Sequence, residues 1–93
     1  MTTKETRKKK PVESQDVDYP NERFLILHND DLHSFDYVIE SLIEICGRNP
    51  EQAVQCTMLT HYHGKCDVKK GSFSYLSPMK KALNARHLEA TID

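Results

Sequence analysis

Three acceptor-bearing side chains in a row, Asn29-Asp30-Asp31, follow directly on the apolar run Phe24-Leu25-Ile26-Leu27-His28. Asn and Asp at a strand end ordinarily form turns through side-chain-to-backbone bonds, and each residue taken singly reads that way. Three consecutive amide or carboxylate side chains also concentrate hydrogen-bond acceptors, which suits a cation or an ammonium group. A second polar string, His61-Tyr62-His63, stands near the expected end of a helix, where histidine commonly meets the last carbonyls.

With Cys66, and with Asp30 or Asp31, the two histidines could form a metal set, His61-x-His63-x-x-Cys66. Zinc sites gather three or four ligands, usually as spaced pairs, and this string lacks a matching second pair. No metal or cofactor is therefore expected. The three cysteines, Cys46, Cys56 and Cys66, include no CxxC, and each lies in a segment whose periodicity buries it. Buried apolar thiols have raised pKa values and are inert as nucleophiles. There is also no serine-centred G-x-S-x-G elbow. The residue types speak against an enzyme.

The elements that must position these residues are short and well punctuated. Phe24–His28 reads as a strand buried on both faces. Ser34 can cap a helix with Asp36 in its first turn, and Phe35, Val38, Ile39, Leu42 and Cys46 form its apolar stripe up to Gly47. A second helix is capped by Asn49, has Pro50 at its first position and runs from Glu51 to about Tyr62, before Gly64. On it Val54 and Met58 are expected to face the core, while Thr57, Thr60 and His61 share a more polar face. Lys65–Lys69 alternates as a half-buried strand, and Lys70-Gly71-Ser72 turns the chain. Ser77-Pro78 starts a third helix with Met79, Ala82 and Leu83 inward, and Leu88–Ile92 closes as a strand. The order β-α-α-β-α-β fits an α+β domain of two layers, a small three-stranded antiparallel sheet covering three helices.

Composition narrows the class. The chain has 93 residues and a formal net charge of −1. Residues 1–22 hold only Met1, Val12, Val17 and Tyr19 from the hydrophobic set, too few to offset their ordering entropy. They are expected to be a disordered polar extension, with one folded domain over 23–93. That domain carries eight Lys or Arg against nine Asp or Glu, so no nucleic-acid partner is expected. No apolar run approaches the roughly 20 residues a membrane helix needs, and the N-terminus lacks a secretory apolar region. A cytoplasmic monomer without membrane attachment is the expectation.

Taken in order, Asn29-Asp30-Asp31, Glu51-x-Ala53 and His61-Tyr62-x-Gly64-Lys65 resemble the ClpS family of Clp protease adaptors, over about Arg23 to Ile92. The resemblance implies an adaptor that binds the free, bulky hydrophobic N-terminal residue of N-degron substrates. It also implies delivery of those substrates to a AAA+ unfoldase of the ClpA or ClpC type. The family's hydrogen bonds to the substrate α-amino group map onto Asn29, Asp30 and His61, with Asp31 supporting the site or its turn. His61 must be neutral to accept such a bond, so binding is expected to weaken as it gains a proton. The side-chain pocket maps onto Leu27, His28, Phe35, Val38, Thr57, Thr60 and Leu88. The unfoldase would engage the N-terminal extension.

Several positions depart from familiar members: His28, Thr57 and Thr60 replace apolar residues, His33-Ser34 replaces Thr-Pro, and Phe35 replaces methionine. They imply a more polar pocket, and Phe35 either narrows its mouth or is the first core contact of its helix. The third helix reads as shorter than in better-known members. Two alternatives stay open: a module that docks on the unfoldase without degron recognition, and a small metal-binding enzyme built on His61, His63, Cys66 and an Asp.

Overall fold

The computed structural model describes residues 22–93, so the expected extension over 1–22 lies outside the described residues except for exposed Glu22. Strand β1 (Arg23–His28) pairs antiparallel on one side with β2 (Lys65–Gly71) and on the other with β3 (Ala90–Ile92). A central strand has no solvent edge, and this is why Leu25, Ile26 and Leu27 can be buried in succession. Opposite β1 the register jumps from Leu25↔Lys69 to Ile26↔Asp67, leaving Val68 as the extra residue of a bulge; Val68 is buried.

Helix α1 (Phe35–Cys46) is capped as its sequence implies. The Ser34 hydroxyl accepts from the Tyr37 N–H at 3.2 Å, and Gly47 ends the helix at φ 67°. Helix α2 (Pro50–His63) has Asn49 as its cap, accepting from the Gln52 N–H at 2.8 Å. Three helices and a three-stranded antiparallel sheet in the order β-α-α-β-α-β is the expected fold. The core joins Leu25, Leu27, Leu42, Val68, Leu76 and Leu83 across both layers.

Three expectations are corrected. Val54 and Met58 do not face the core; they are 41% and 43% exposed, and α2 turns Ala53, Cys56, Thr57 and Thr60 inward instead. The threonines can be buried because each hydroxyl donates to the carbonyl four residues back, Thr57 to Ala53 and Thr60 to Cys56, both at 2.8 Å. Met58→Lys should therefore change the unfolding free energy by less than about 0.5 kcal/mol, read from the urea midpoint.

The second correction concerns α3 (Phe73–Ala85), which begins five residues before the expected Pro78. Ser72 is its cap, accepting from the Tyr75 N–H at 3.1 Å, and Pro78 sits inside the helix. Fully buried Leu76 extends the Met79–Leu83 stripe by one turn toward the N-terminus. Burial of that extra turn outweighs an interior proline, which removes one helical bond and costs about 3 kcal/mol. The reading of a short third helix came from taking Ser77-Pro78 as its start. Strand β3 is likewise shorter than Leu88–Ile92, with buried Leu88 lying ahead of it.

Candidate functional site

Where β1 ends and α2 ends, the backbone joins them: the Asn29 N–H donates to the Gly64 carbonyl at 2.9 Å. Gly64 takes φ 90° there, a left-handed conformation that a side chain would strain. This tie sets Asn29 beside the last turn of α2, which carries His61. Between β1, α1 and α2 lies a cavity of about 180 Å³. A cavity of roughly 150 Å³ already admits a benzene ring.

Leu27, Val38, Thr57, Thr60 and Leu88 line this cavity, and His28, Asn29, Asp30, Asp31, His33, Phe35 and His61 complete it. The structure thus brings to one place every residue expected in the α-amino site and the side-chain pocket. His33 is the addition. The lining contains two carboxylates and neither lysine nor arginine.

Asp30 is the best-connected member. One carboxylate oxygen, Oδ1, accepts from the backbone N–H groups of Leu32 at 2.9 Å and His33 at 3.0 Å, and Oδ2 meets His33 Nδ1 at 2.9 Å. Burial pushes this carboxyl up, but the hydrogen bonds from the His33 ring and the two backbone groups prevail and hold it below its usual range. A carboxylate offers about four acceptor positions, and three are occupied here. Asp30 therefore presents charge and one remaining acceptor position to a ligand.

His61 is exposed and stands edge-on to Phe35, ring centroids 5.2 Å apart, and to Tyr62 at 5.1 Å. Phe35 is itself exposed, so it belongs to the cavity mouth and is not the first core contact of α1. His28, polar by type, meets Thr91 Oγ1 through Nε2 at 2.8 Å. The hydroxyl protons of Thr57 and Thr60 are committed to α2 carbonyls. The cavity is consequently less polar than its residue list: both hydroxyls keep lone pairs, but neither is a free donor.

His63 and Cys66 do not line the cavity, and among the described residues no three His, Cys, Asp or Glu side chains could hold a metal ion together. Burial pushes the Cys46 thiol up to about 11 and, with Cys56 beside it, the Cys66 thiol up to about 12. Both stay protonated and unreactive at neutral pH. Cys66, expected to be buried, is only partly so. His33 escaped sequence reasoning as a site residue; its signal was the Asp30-x-x-His33 spacing across a turn.

An α+β domain with an apolar cavity and an acceptor-rich mouth that holds neither lysine nor arginine has the features of a binding module, not of a catalyst. The pattern of the family described as ATP-dependent Clp protease adaptor protein ClpS matches residues 18–91. The ClpS adapter of Campylobacter jejuni subsp. jejuni serotype O:23/36 is 32% identical over 83 residues, covering 87% of this chain and 85% of the relative. The ClpS adapter of Campylobacter jejuni subsp. doylei matches to the same extent. In fold, the chain is similar to Agrobacterium tumefaciens ClpS2 bound to L-phenylalaninamide, with a TM-score of 0.73 and 19% identity over 80% of this chain and 96% of that one. The chain belongs to the ClpS family of Clp protease adaptors and is not an enzyme. Among the described residues no helix is long and apolar enough to cross a membrane.

Proposed function

We propose that the cavity captures the free N-terminal residue of N-degron substrates and that the protein delivers them to a Clp AAA+ unfoldase of the ClpA or ClpC type. The observation that carries this reading is the pairing of an apolar cavity with a mouth holding two carboxylates, an amide and three imidazoles but neither lysine nor arginine. An α-ammonium is a compact charged donor of three hydrogen bonds. Asn29 Oδ1, the remaining acceptor position of Asp30 and neutral His61 supply three acceptors, with Asp31 adding charge. The first side chain then enters between Leu27, Val38 and Leu88, where burying a large apolar group contributes roughly 1.5–3 kcal/mol. The fold-related Agrobacterium tumefaciens protein was solved bound to L-phenylalaninamide, which joins a free α-amino group to a phenyl ring. In this reading residues 23–93 form the adaptor domain, and the unfoldase engages residues 1–22 during delivery.

The inward threonines motivated a docking module without degron recognition, but their hydroxyl protons are satisfied within α2, so an apolar side chain meets no stranded donor. The deciding measurement is fluorescence anisotropy with a peptide beginning in free phenylalanine and its N-acetylated twin. Acetylation removes the charge and two of the three donors, so affinity should fall at least about tenfold. Equal affinity for both peptides, or none for either, refutes the degron reading.

A further inference from the structure

Asp30 does not need His33 to make its turn. Two backbone N–H groups already hold Oδ1, and the imidazole engages the second oxygen. That oxygen belongs to an acceptor-only carboxylate, so His33 Nδ1 is the donor; in the neutral ring Nε2 then carries no proton. The ring is also braced. It stacks on Tyr37 with centroids 4.9 Å apart and planes 15° apart, and the Tyr37 hydroxyl donates to the Arg86 carbonyl at 2.9 Å. Partly buried and lining the cavity, His33 is held against Asp30 before any ligand arrives.

We propose that His33 is a positioning residue for Asp30 and a second proton-sensitive group at the cavity mouth, so that capture of a free α-ammonium is linked to deprotonation of both His33 and His61. The inference rests on the degron reading above. Neutral His33 orients the Asp30 carboxylate and leaves its charge available to the incoming ammonium. Protonated His33 places a full positive charge 2.9 Å from Asp30 Oδ2, cancels the field the ammonium would feel and repels it. The other titratable groups facing this mouth are Asp31 from the same loop, His28 at the end of β1, Tyr37 on α1 and His61 on α2. The nearby Arg86 guanidinium is directed at Ser41 and Glu44. Of these groups only Asp31 is a further acid, and it is exposed, so water screens its effect on a proton gained by His33.

The test follows binding of a labelled peptide with a free N-terminal phenylalanine to the full chain, unmodified and as His33→Asn, between pH 5 and 8. Asparagine keeps a donor for Asp30 but does not titrate. On the acid limb, relative to each protein's own plateau, the unmodified chain should lose affinity toward about a hundredfold per pH unit and His33→Asn about tenfold. Equal slopes overturn the inference, including the case in which the variant is weaker by the same factor at every pH, since that marks a purely structural role. Absence of binding by the unmodified chain at every pH overturns the degron reading and this inference with it. Binding with equal slopes overturns this inference alone.

Discussion

Asn29→Ala combined with His61→Ala is expected to weaken capture of a peptide with a free N-terminal phenylalanine by about 2–4 kcal/mol, roughly 30- to 900-fold. Each substitution removes one acceptor and leaves a charged N–H unpaired at the mouth of an apolar cavity, where water compensates poorly. The loss should fall on binding, not on folding. Both side chains are exposed, and the bond that fastens the end of β1 to α2 is donated by the Asn29 backbone, which alanine retains. His61 gives up only its edge contacts with Phe35 and Tyr62. Anisotropy titration beside a thermal unfolding scan checks both halves. A loss below threefold, with the fold intact, would mean that these groups do not receive the ammonium.

Leu42→Ala should act in the opposite way, on the fold first. Leu42 is 0% exposed on the inner face of α1, clustered with Leu25, Leu27, Val68, Leu76 and Leu83. Truncating such a leucine costs about 2–5 kcal/mol from lost transfer energy and the remaining void. A domain this small has a total stability near the lower end of the usual 5–15 kcal/mol. The melting temperature should therefore drop by more than about 8 °C, at roughly 4 °C or more per kcal/mol. Because α1 also supplies Phe35 and Val38 to the cavity wall, apparent peptide affinity should fall as the unfolded fraction rises. A shift below 3 °C by calorimetry would contradict the packing described for α1.

What could be read from the chain in advance was mostly what local chemistry dictates. Ser34, Asn49, Gly47 and Gly64 bound α1 and α2 as their types require, because a cap is a contact within four residues. With those ends fixed, the pairing of His28 with Lys65, directly after α2, brings Asn29 and His61 to one cavity. The failures have a different origin. Val54 and Met58 are large apolar residues of α2 spaced four apart, yet they face outward with Leu59; which face turns inward depends on what the sheet and α1 present, and that is tertiary information. Ser72 and Ser77 are both plausible caps, and the choice falls to Leu76, whose burial cannot be seen from spacing alone. The threonines misled in a third way. Their type suggests a wet pocket, but the direction of each hydroxyl is set by the helix beneath it. His33 is not legible as a site residue from type alone, because its contact with Asp30 depends on the turn that brings the two together.

The peptide-group bridge from Asn29 to Gly64 has a bearing on ancestry as well as on mutagenesis. It spans the lip of the pouch without using any side chain on the strand half. On the proposed reading, a substitution at position 29 alters what the lip greets while the peptide-group bridge across it stays in place. On that reading recognition and architecture are separable traits in this protein, and a lineage can swap its clientele without rebuilding the doorway.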